Sequence, residues 1–410
     1  MYLNEVCVVG LGYIGLPTAL ILASHGKKVV GVDINEELVA KLAVGKLAFD
    51  EAGLVDLFGQ AEKNGIRFQT KCPDAEIYIV AVPTPFDSKT KKIVPHYVVK
   101  AVEDVLDVYK KGAIVVIEST VSPGTVDKFV RPVLAGRGLT AGEDIHLAHA
   151  PERITPGKMI EELRRNPRTI GADSVEIAQK LQKMYACFCE EEIVLTDIRT
   201  AEITKVVENT FRDINIAFAN ELAKICRQDN LNVYEIIRIA NMHPRVEILQ
   251  PGPGVGGHCI SVDPWFLVGD YPQLSLLIHE ARKINDSMPS FVLKRVCDII
   301  AEHSLPRSTL VGFYGITYKE DVDDIRDSPT LQLYELMKNH LGGNVKFYDP
   351  YCVNKLLDGQ MFDFCEFLET CQLIVIMVGH SHIISNQDML ASKIILDTRN
   401  CINTPRRYLL

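Results

Sequence analysis

The cysteine at position 259 stands directly behind a glycine-rich segment, GPGVGGHC at 252–259, and Asp263 follows four residues later. Glycines let a substrate approach the backbone closely, and their N–H groups can stabilise a developing oxyanion. A cysteine thiolate adds to an aldehyde to give a thiohemiacetal, which becomes a thioester on loss of hydride and an acid on hydrolysis. Cys259 is therefore a candidate nucleophile and Asp263 a candidate for positioning water, with a buried structural cysteine as the alternative. His258 is a weaker candidate base, because adjacent residues of an extended loop usually point apart.

A second glycine pattern lies near the N-terminus, between a short apolar run and a helical stretch. Its glycines have the dinucleotide-binding spacing Gly-x-Gly-x-x-Gly: Gly10, Gly12 and Gly15. They permit a tight turn, close approach of a pyrophosphate, and close packing of the helix on the strand. Asp33 ends the next strand, where a carboxylate can hold ribose hydroxyls and repel a 2′-phosphate. The pattern predicts an NAD site, with an ordinary glycine turn as the alternative.

Two further loops leave strand ends that this fold places on the same side of the sheet. VPTP at 82–85 contains Thr84, and EST at 118–120 ends in Thr120. Ligands of open α/β sheets lie outside the carboxyl ends of the strands. Thr84 and Thr120 are therefore candidate cofactor contacts, although threonine is also a common turn or helix cap.

A polar stripe runs along a strongly apolar helical segment, 202–223. Lys205, Asn209 and Arg212 fall at i, i+4 and i+7 and therefore share one face. A helix that is apolar over most of its surface is expected to be largely buried. The stripe would then face a cleft, a ligand or a partner, with a solvated face as the alternative. A buried lysine can serve in acid–base chemistry, whereas an asparagine can only orient other groups.

Strand and helix patterns alternate at both ends of the chain. Apolar strand patterns occur at 5–10, 28–33, 77–83, 113–120, 146–153, 309–315, 344–350, 373–379 and 393–399. Helical patterns occur at 16–25, 97–110, 125–136, 200–241 and 274–300. We predict an α/β protein with two Rossmann-like domains, 1–198 and 304–410, joined by a central helical domain, 199–303, that supplies a long connecting helix. The central domain is the candidate dimer interface.

Composition excludes several classes of protein. The 410 residues carry a net charge of −9 without a Lys/Arg block, so nucleic acid and anionic membranes are not expected partners. The chain shows no apolar run near the ~20 residues of a membrane span, and its N-terminus has no signal-peptide pattern. Eleven scattered cysteines without a CxxC pair disfavour a disulfide framework or a metal site. We expect a cytoplasmic protein, since a reducing compartment suits these thiols.

Seven segments together resemble the UDP-glucose/GDP-mannose dehydrogenase family, and the resemblance covers essentially the whole chain. They are GLGYIGLPTA (10–19), AVPTPF (81–86), ESTVSPGT (118–125), PERITPGK (151–158), the helix at 201–221, HPRVEILQPGPGVGGHC (243–259) and YKEDVDDIRDSP (318–329). The resemblance implies a four-electron oxidation of the C6 alcohol of a nucleotide sugar to a carboxylate, with two NAD and a homodimer or larger homo-oligomer.

The resemblance also implies roles for residues at matching positions. The implied catalytic residues are Cys259 as nucleophile, Lys205 as proton donor and acceptor, Asn209 and Asp263 arranging water, and Glu152. The implied NAD contacts are Gly10, Gly12, Tyr13, Ile14, Gly15, Asp33, Thr84, Thr120 and Arg326, the last reaching across from the C-terminal domain. The implied UDP-sugar contacts are Arg153, Ile154, Lys205, Asn209, Arg212, His243, Arg245 (of the same or of the neighbouring subunit), Gly256, Tyr318, Lys319 and Arg399.

Two departures from the family pattern argue against UDP-glucose as the substrate. UDP-glucose enzymes of the family typically have Phe and Lys between the cysteine and the aspartate, where this chain has Ile260, Ser261 and Val262. Their second glutamate, four residues after the Pro-Glu motif, is Pro156 here. Within the family, the segments HPR, QPGPGVGGHC and VDPWF most resemble those of members that act on UDP-N-acetyl-D-mannosamine, so the resemblance implies this substrate. UDP-GlcNAc, UDP-GalNAc and UDP-glucose remain alternatives, and the group that activates water for thioester hydrolysis stays open.

Overall fold

The computed structural model describes residues 5–49, 51–257, 259–306, 308–337 and 344–410. The candidate base His258 lies outside the described residues. The chain divides into two compact units. The first unit is Met1–Glu208 with Trp265–Asp270, and the second is Asn209–Pro264 with Tyr271–Leu410.

The first unit is built on an eight-stranded sheet. Its strands are β1 (Glu5–Val9), β2 (Lys28–Val32), β3 (Arg67–Gln69), β4 (Ile77–Val80), β5 (Ala113–Ile117), β6 (Ile145–His149), β7 (Arg168–Ala172) and β8 (Ile193–Thr196). Their order is β3-β2-β1-β4-β5-β6-β7-β8, and every pair is parallel except β6 with β7. The first six strands have the order of a dinucleotide-binding fold. Successive strands are added on one side of β1 up to β3, and from β4 onward they are added on its other side.

Seven helices connect the strands of the first unit. They are α1 (Gly15–Ser24), α2 (Glu36–Ala43), α3 (Leu54–Lys63), α4 (His96–Leu106), α5 (Arg131–Gly136), α6 (Met159–Arg165) and α7 (Val175–Tyr185). A π-helical turn, Val126–Val130, leads into α5. The central strands β1, β4 and β5 are apolar and buried, as strands covered on both faces must be. Helix α1 is likewise buried along nearly its whole length, which fixes its N-terminus at the end of β1.

A 31-residue helix, α8 (Ile198–Gln228), runs from the first unit into the second. The other helices from here to the C-terminus are α9 (Val233–Ala240), α10 (Asp263–Asp270), α11 (Leu276–Asp286), α12 (Met288–Glu302), α13 (Pro329–Met337), α14 (Phe364–Thr370) and α15 (Ser381–Ser385). Among the described residues, none of the helices is both long and apolar enough to span a bilayer.

The second unit contains a five-stranded parallel sheet. Its strands are β9 (Val311–Tyr314), β10 (Val345–Tyr348), β11 (Leu373–Ile376), β12 (Ile394–Asp397) and β13 (Arg407–Leu409), in the order β10-β9-β11-β12-β13. The apolar residues of β9, β11 and β12 are almost completely buried and form the core with α12 and α13. The predicted fold of two Rossmann-like sheets and a long central helix is confirmed.

The burial of α8 differs from the sequence expectation. Val206 is buried, as an apolar helix predicts, but Val207, Phe211 and Phe218 are 48%, 66% and 49% exposed. One apolar face of α8 therefore packs within the chain, whereas the described residues leave another apolar face about half exposed.

Candidate active site

The glycine turn of the first unit leaves open backbone where a pyrophosphate would bind. Gly10 has a φ of +92°, and a Cβ on Gly15 would lie 1.8 Å from the Gly10 carbonyl oxygen, so neither position tolerates a side chain. A Cβ on Gly12 would meet nothing within 4 Å. Helix α1 starts here with Ile14 as its N-cap, whose side chain cannot accept a hydrogen bond. Open backbone at a helix N-terminus suits a pyrophosphate, so these residues fit NAD.

Asp33 connects the end of β2 to this turn. Its Oδ2 accepts a hydrogen bond from the Leu11 N–H at 2.9 Å, and its Oδ1 accepts one from the Asn35 N–H at 2.9 Å. The carboxylate is only partly buried. It is therefore held rigidly beside the glycine turn while part of it can still meet ribose hydroxyls, as the sequence predicts.

Tyr13, the predicted cofactor contact within the turn, packs on a neighbouring ring. Its ring stacks on Phe49 with 4.4 Å between centroids and 28° between planes. This contact fixes the ring at the edge of the glycine turn.

The loops that carry Thr84 and Thr120 come together, as the sequence predicts. The Thr84 hydroxyl donates to the Thr120 carbonyl oxygen at 2.7 Å. Glu202 of α8 accepts from the N–H groups of Gly124 and Val126, at 2.5 and 2.9 Å. Burial raises the pKa of Glu202 to about 7 although these N–H groups oppose the shift. The Thr84 side chain therefore joins the two loops, and α8 holds the loop after Thr120.

Glu152 belongs to a buried ion cluster that the sequence did not reveal. Arg168 binds Glu152 through Nη2 and Glu118 through Nη1, the latter at 3.0 Å. The Tyr185 hydroxyl donates to Glu118 at 3.2 Å, and the Arg168 guanidinium lies over the Tyr185 ring. Burial raises the pKa of Glu118 to about 7, while Arg168 lowers it. The sequence feature that could have indicated this cluster is one charged residue, Arg168, at the start of the otherwise apolar strand RTIGA.

Arg153 and Ile154 both make structural contacts. Arg153 pairs with Glu208 of α8 at 2.7 Å and donates to the Thr169 hydroxyl at 3.0 Å. The Ile154 side chain lies in the core of the first unit. The ion pair of Arg153 thus anchors the loop after β6 to α8. Contact of Arg153 and Ile154 with the substrate stays a prediction.

The cysteine loop lies in the second unit and packs on Tyr318. A Cβ on Gly256 would lie 2.6 Å from the Tyr318 Cβ, and one on Gly257 would lie 2.8 Å from the Tyr318 ring. Gly257 also has a φ of +84°. Cys259 follows with an exposed side chain, which contradicts the reading of a buried structural cysteine. The glycines therefore allow the loop to lie against Tyr318 while the thiol faces outward.

Asp263 begins α10 one turn after the cysteine. Its N–H donates to the Cys259 carbonyl oxygen at 2.8 Å, and its Oδ2 accepts from the Asn209 amide at 2.6 Å. Both side chains are buried. The hydrogen bond predicts that Asn209 and Asp263 act together on a bound molecule or water, as the resemblance implied.

The three residues of the polar stripe on α8 differ in how far they are buried. Lys205 and Asn209 are 6% exposed, whereas Arg212 is exposed. A solvated face is therefore wrong for the first two residues. His243 and Arg245 are also exposed, and the Arg245 N–H donates to the His243 Nδ1 at 3.3 Å.

The remaining predicted contacts lie at the carboxyl edge of the second sheet. Arg326 pairs with Asp324 at 2.6 Å, and Arg399 lies 3.4 Å from Glu320. Lys319 is partly buried, and its carbonyl oxygen accepts from the Thr317 hydroxyl at 3.0 Å. Arg326 is thus held by Asp324, and a contact with NAD stays a prediction.

The parallel strands β1–β6, the glycine turn at the N-terminus of α1 and the acidic residue after β2 define a dinucleotide-binding domain. Three models of one family cover most of the chain. The NAD binding domain matches residues 4–189, the central domain 199–287 and the UDP binding domain 312–404. The chain belongs to the UDP-glucose/GDP-mannose dehydrogenase family and is an NAD-dependent nucleotide-sugar dehydrogenase.

Relatives of similar length have related names. UDP-N-acetyl-D-mannosamine dehydrogenase of Methanococcus aeolicus is 40% identical over 98% of this chain and 92% of its own. NDP-N-acetyl-D-galactosaminuronic acid dehydrogenase of Ralstonia nicotianae is 39% identical over 98% and 97%. The solved UDP-D-ManNAc dehydrogenase of Pyrococcus horikoshii superposes with a TM-score of 0.91 at 36% identity, covering 99% and 98%.

Proposed function

We propose that this enzyme oxidises the C6 alcohol of UDP-N-acetyl-D-mannosamine to the carboxylate of UDP-N-acetyl-D-mannosaminuronate. The observation that carries the chemistry is the exposed Cys259 one turn before Asp263, whose carboxylate binds the buried Asn209 at 2.6 Å. Relatives at about 40% identity that are named for this sugar support the choice of substrate. A dehydrogenase that stopped at an aldehyde or ketone would have no use for a nucleophile here.

The first oxidation needs a base at the C6 hydroxyl. Gly12, Asp33 and the N-terminus of α1 would hold NAD, which accepts one hydride in each oxidation. We assign the proton transfer to Lys205, because a buried amine can exchange a proton with a bound alcohol. This step breaks the C6–H and O–H bonds and leaves an aldehyde.

The second oxidation takes place on the cysteine. The Cys259 thiolate adds to the aldehyde, forming a C–S bond, and the carbonyl oxygen takes a proton to give the thiohemiacetal. Loss of the second hydride and of the hydroxyl proton gives the thioester. Water then adds, the C–S bond breaks, and the thiolate leaves. We assign the orientation of this water to Asn209 and Asp263, which bind each other, and a further catalytic carboxylate to Glu152, which Arg168 holds.

The nucleotide would bind to the second unit. We propose that Tyr318, Lys319 and Arg399 bind UDP, because they gather at the carboxyl edge of its sheet and two are cationic. The exposed residues Arg212, His243 and Arg245, together with Gly256, would complete the contacts with the nucleotide sugar. Functionally, we divide the chain into 1–198 for NAD, 199–303 for catalysis and dimerisation, and 304–410 for UDP.

A second candidate substrate is a different 2-acetamido sugar. The Ralstonia relative, at 39% identity, is named for N-acetyl-D-galactosaminuronic acid, so UDP-GalNAc shares the mechanism and competes for the assignment. UDP-GlcNAc and UDP-glucose are weaker alternatives, and Pro156 in place of a second glutamate argues against UDP-glucose.

The substrate is tested by kcat/KM for the four UDP sugars with NAD. We expect UDP-N-acetyl-D-mannosamine to exceed each of the others by at least about a hundredfold, since discrimination by hydrogen bonds to one epimer is worth several kcal/mol. A higher value for UDP-GalNAc or UDP-glucose would keep the mechanism and reject this sugar.

A further inference from the structure

The second unit repeats the turn that surrounds Asp33, with Asp349 at the matching place after β10. The Gly315 N–H donates to the Tyr348 carbonyl oxygen at 2.8 Å, and the Asp349 Oδ2 accepts from the Ile316 N–H at 2.6 Å. In the first unit, Gly10 and Leu11 make the corresponding bonds. The second sheet therefore carries an acidic residue where a dinucleotide fold places its ribose ligand.

Asp349 differs from Asp33 in what meets its carboxylate. It is 4% exposed, and its Oδ2 lies 3.2 Å from Nε2 of His380, a residue that is itself fully buried. Burial would raise the pKa of Asp349, but the hydrogen bonds from His380 and from nearby N–H groups outweigh burial, and the pKa is lowered. The carboxylate that could hold a ribose thus holds an imidazole.

The two ring nitrogens of His380 contact residues at the two ends of one turn, Asp321 and Thr317. Nδ1 accepts from the Asp321 N–H at 2.9 Å, and Nε2 lies 3.3 Å from the Thr317 hydroxyl. A backbone N–H can only donate, so Nδ1 carries no proton and Nε2 donates to Asp349. Between Thr317 and Asp321 stand Tyr318 and Lys319, the proposed nucleotide contacts.

Asp321 needs this support because its backbone is strained. Its φ is +57°, in the left-handed region that costs free energy for a residue with a side chain. The Ser381 N–H donates to Asp321 at 2.9 Å and the Tyr351 hydroxyl donates at 3.0 Å. His380 and these two neighbours therefore fix one conformation of the turn.

Tyr318 in this turn, and residues 326 and 327 that follow it, contact the cysteine loop. The Gly257 N–H donates to the Arg326 carbonyl oxygen at 2.9 Å, and the Ser261 hydroxyl donates to Asp327 at 3.2 Å. Tyr318 packs on Gly257. A change in the turn after Thr317 would therefore reach the loop that carries the nucleophile.

We propose that His380 is a positioning residue that sets the turn from Thr317 to Asp321, and through it presents Tyr318 and Lys319 to the uridine nucleotide. The inference rests on the proposed function, in which these two residues bind UDP. The imidazole replaces the ribose that the repeated aspartate would otherwise hold, which gives the second sheet a mononucleotide site in place of a second dinucleotide site.

The test measures UDP binding by titration calorimetry and both KM values in the full-length enzyme. Loss of both imidazole bonds in His380→Leu should weaken UDP binding and raise the KM for the UDP sugar by about tenfold. The KM for NAD should stay within about twofold, because the glycine turn and Asp33 that would hold NAD belong to the first unit. His380→Asn, whose side-chain oxygen can still accept from the Asp321 N–H, should recover part of the loss.

Two control variants make the outcome decisive. His382→Leu, two residues further along the chain on α15, changes a histidine whose Nδ1 lies 3.1 Å from the Tyr314 hydroxyl, and it should leave UDP binding unchanged. Lys319→Ala should weaken UDP binding if the proposed nucleotide site is correct. Unaltered UDP affinity in His380→Leu alongside weak binding in Lys319→Ala would overturn the positioning role alone. Unaltered affinity in both would overturn the UDP site as well, and equal losses for UDP and NAD would reduce His380 to a structural residue.

Discussion

In the proposed mechanism Cys259 forms the covalent intermediate, so a serine hydroxyl should not replace its thiol. A serine hydroxyl is far less ionised than a thiol near neutral pH and adds poorly to an aldehyde. Cys259→Ser should lower the rate of acid formation by roughly a thousandfold. Folding and NAD binding should persist, because the side chain is exposed and lies outside the first unit. Steady-state NADH formation gives the rate, and titration calorimetry gives the NAD affinity.

The matched control is Cys365→Ser, which changes another exposed cysteine outside the proposed site. It should retain full turnover. Acid formation at the normal rate by Cys259→Ser would reject the thioester mechanism.

Asp33 should set the preference for NAD over NADP. Asp33→Asn keeps an oxygen that can accept from the Leu11 N–H but removes the charge that repels a 2′-phosphate. We expect NAD to bind about tenfold more weakly, and the ratio of the affinity for NAD to the affinity for NADP to fall. Fluorescence titration with the reduced cofactors measures both, and Asp56→Asn on the exposed side of α3 is the control. An unchanged ratio would remove Asp33 from the cofactor site.

At the residue scale, local motifs were predictable and distant partners were not. The glycine turn with Asp33, and the pair Asn209–Asp263, follow from spacing and from the resemblance. Arg168 could not be paired from sequence, because Glu152 and Glu118 stand 16 and 50 residues away. A buried charge demands a partner, but the sequence does not say which of 53 acidic residues supplies it.

At the element scale, the apolar strands and long helices were predictable, and short or polar elements were not. All nine predicted strands are present, and α8 runs beyond both ends of the predicted 202–223 helix. The missed strands are β3, β7, β8 and β13, which have three to five residues each. β3 and β13 begin with arginine and lie at the ends of their sheets, where one-sided burial does not require an apolar run.

The strand β6 carries a pH-sensitive residue at its end. His149 is fully buried, and burial lowers its pKa from 6.5 to about 3, although the Ile117 backbone opposes the shift. Below pH 6.5 the unfolded chain binds a proton that the folded chain excludes until about pH 3. The stability that neutral His149 contributes is therefore complete above 6.5 and is lost as the pH falls toward 3.

His149→Leu should remove this dependence. Between pH 7.5 and 5.5 we expect the wild-type chain to lose about 1.4 kcal/mol of unfolding free energy more than the variant. Urea unfolding at the two pH values measures the difference, and His279→Leu, at a surface histidine, is the control. Equal losses in wild type and His149→Leu would show that His149 titrates normally.

The helix α8 presents an unpartnered apolar face, which we propose binds a second copy of the chain. Its members share one side of the helix and are all at least 38% exposed: Ile203, Val207, Phe211, Phe218 and Ile225. A charge in the middle of such a face would be buried without a partner in the dimer. Phe211→Asp should weaken self-association at least about tenfold, as light scattering would show.

Val175→Asp provides a control, since Val175 is 70% exposed and belongs to a different helix, α7. It should leave the association unchanged. A wild-type chain that is monomeric at micromolar concentration, or a dimer that tolerates Phe211→Asp, would contradict this interface.

At the scale of the whole molecule, two sheets of one architecture would bind two different nucleotides. The first keeps the open glycine turn and the partly exposed Asp33 that suit NAD, whereas the second buries the corresponding aspartate against His380. The local sequence differs as well, since the chain reads GFYG at 312–315, without the Gly-x-Gly-x-x-Gly spacing of the first unit. The compensating contact, between Asp349 and His380, joins residues 31 apart and has no local signal.

The measurement that tests the central claim most directly is the number of NADH molecules formed for each molecule of UDP-N-acetyl-D-mannosamine consumed. Complete conversion by the purified enzyme with excess NAD, followed by absorbance and by mass spectrometry of the sugar, gives the ratio. The covalent mechanism on Cys259 predicts two NADH and a carboxylate product. One NADH with an aldehyde product would show that oxidation stops before the thioester, and would contradict the role assigned to Cys259.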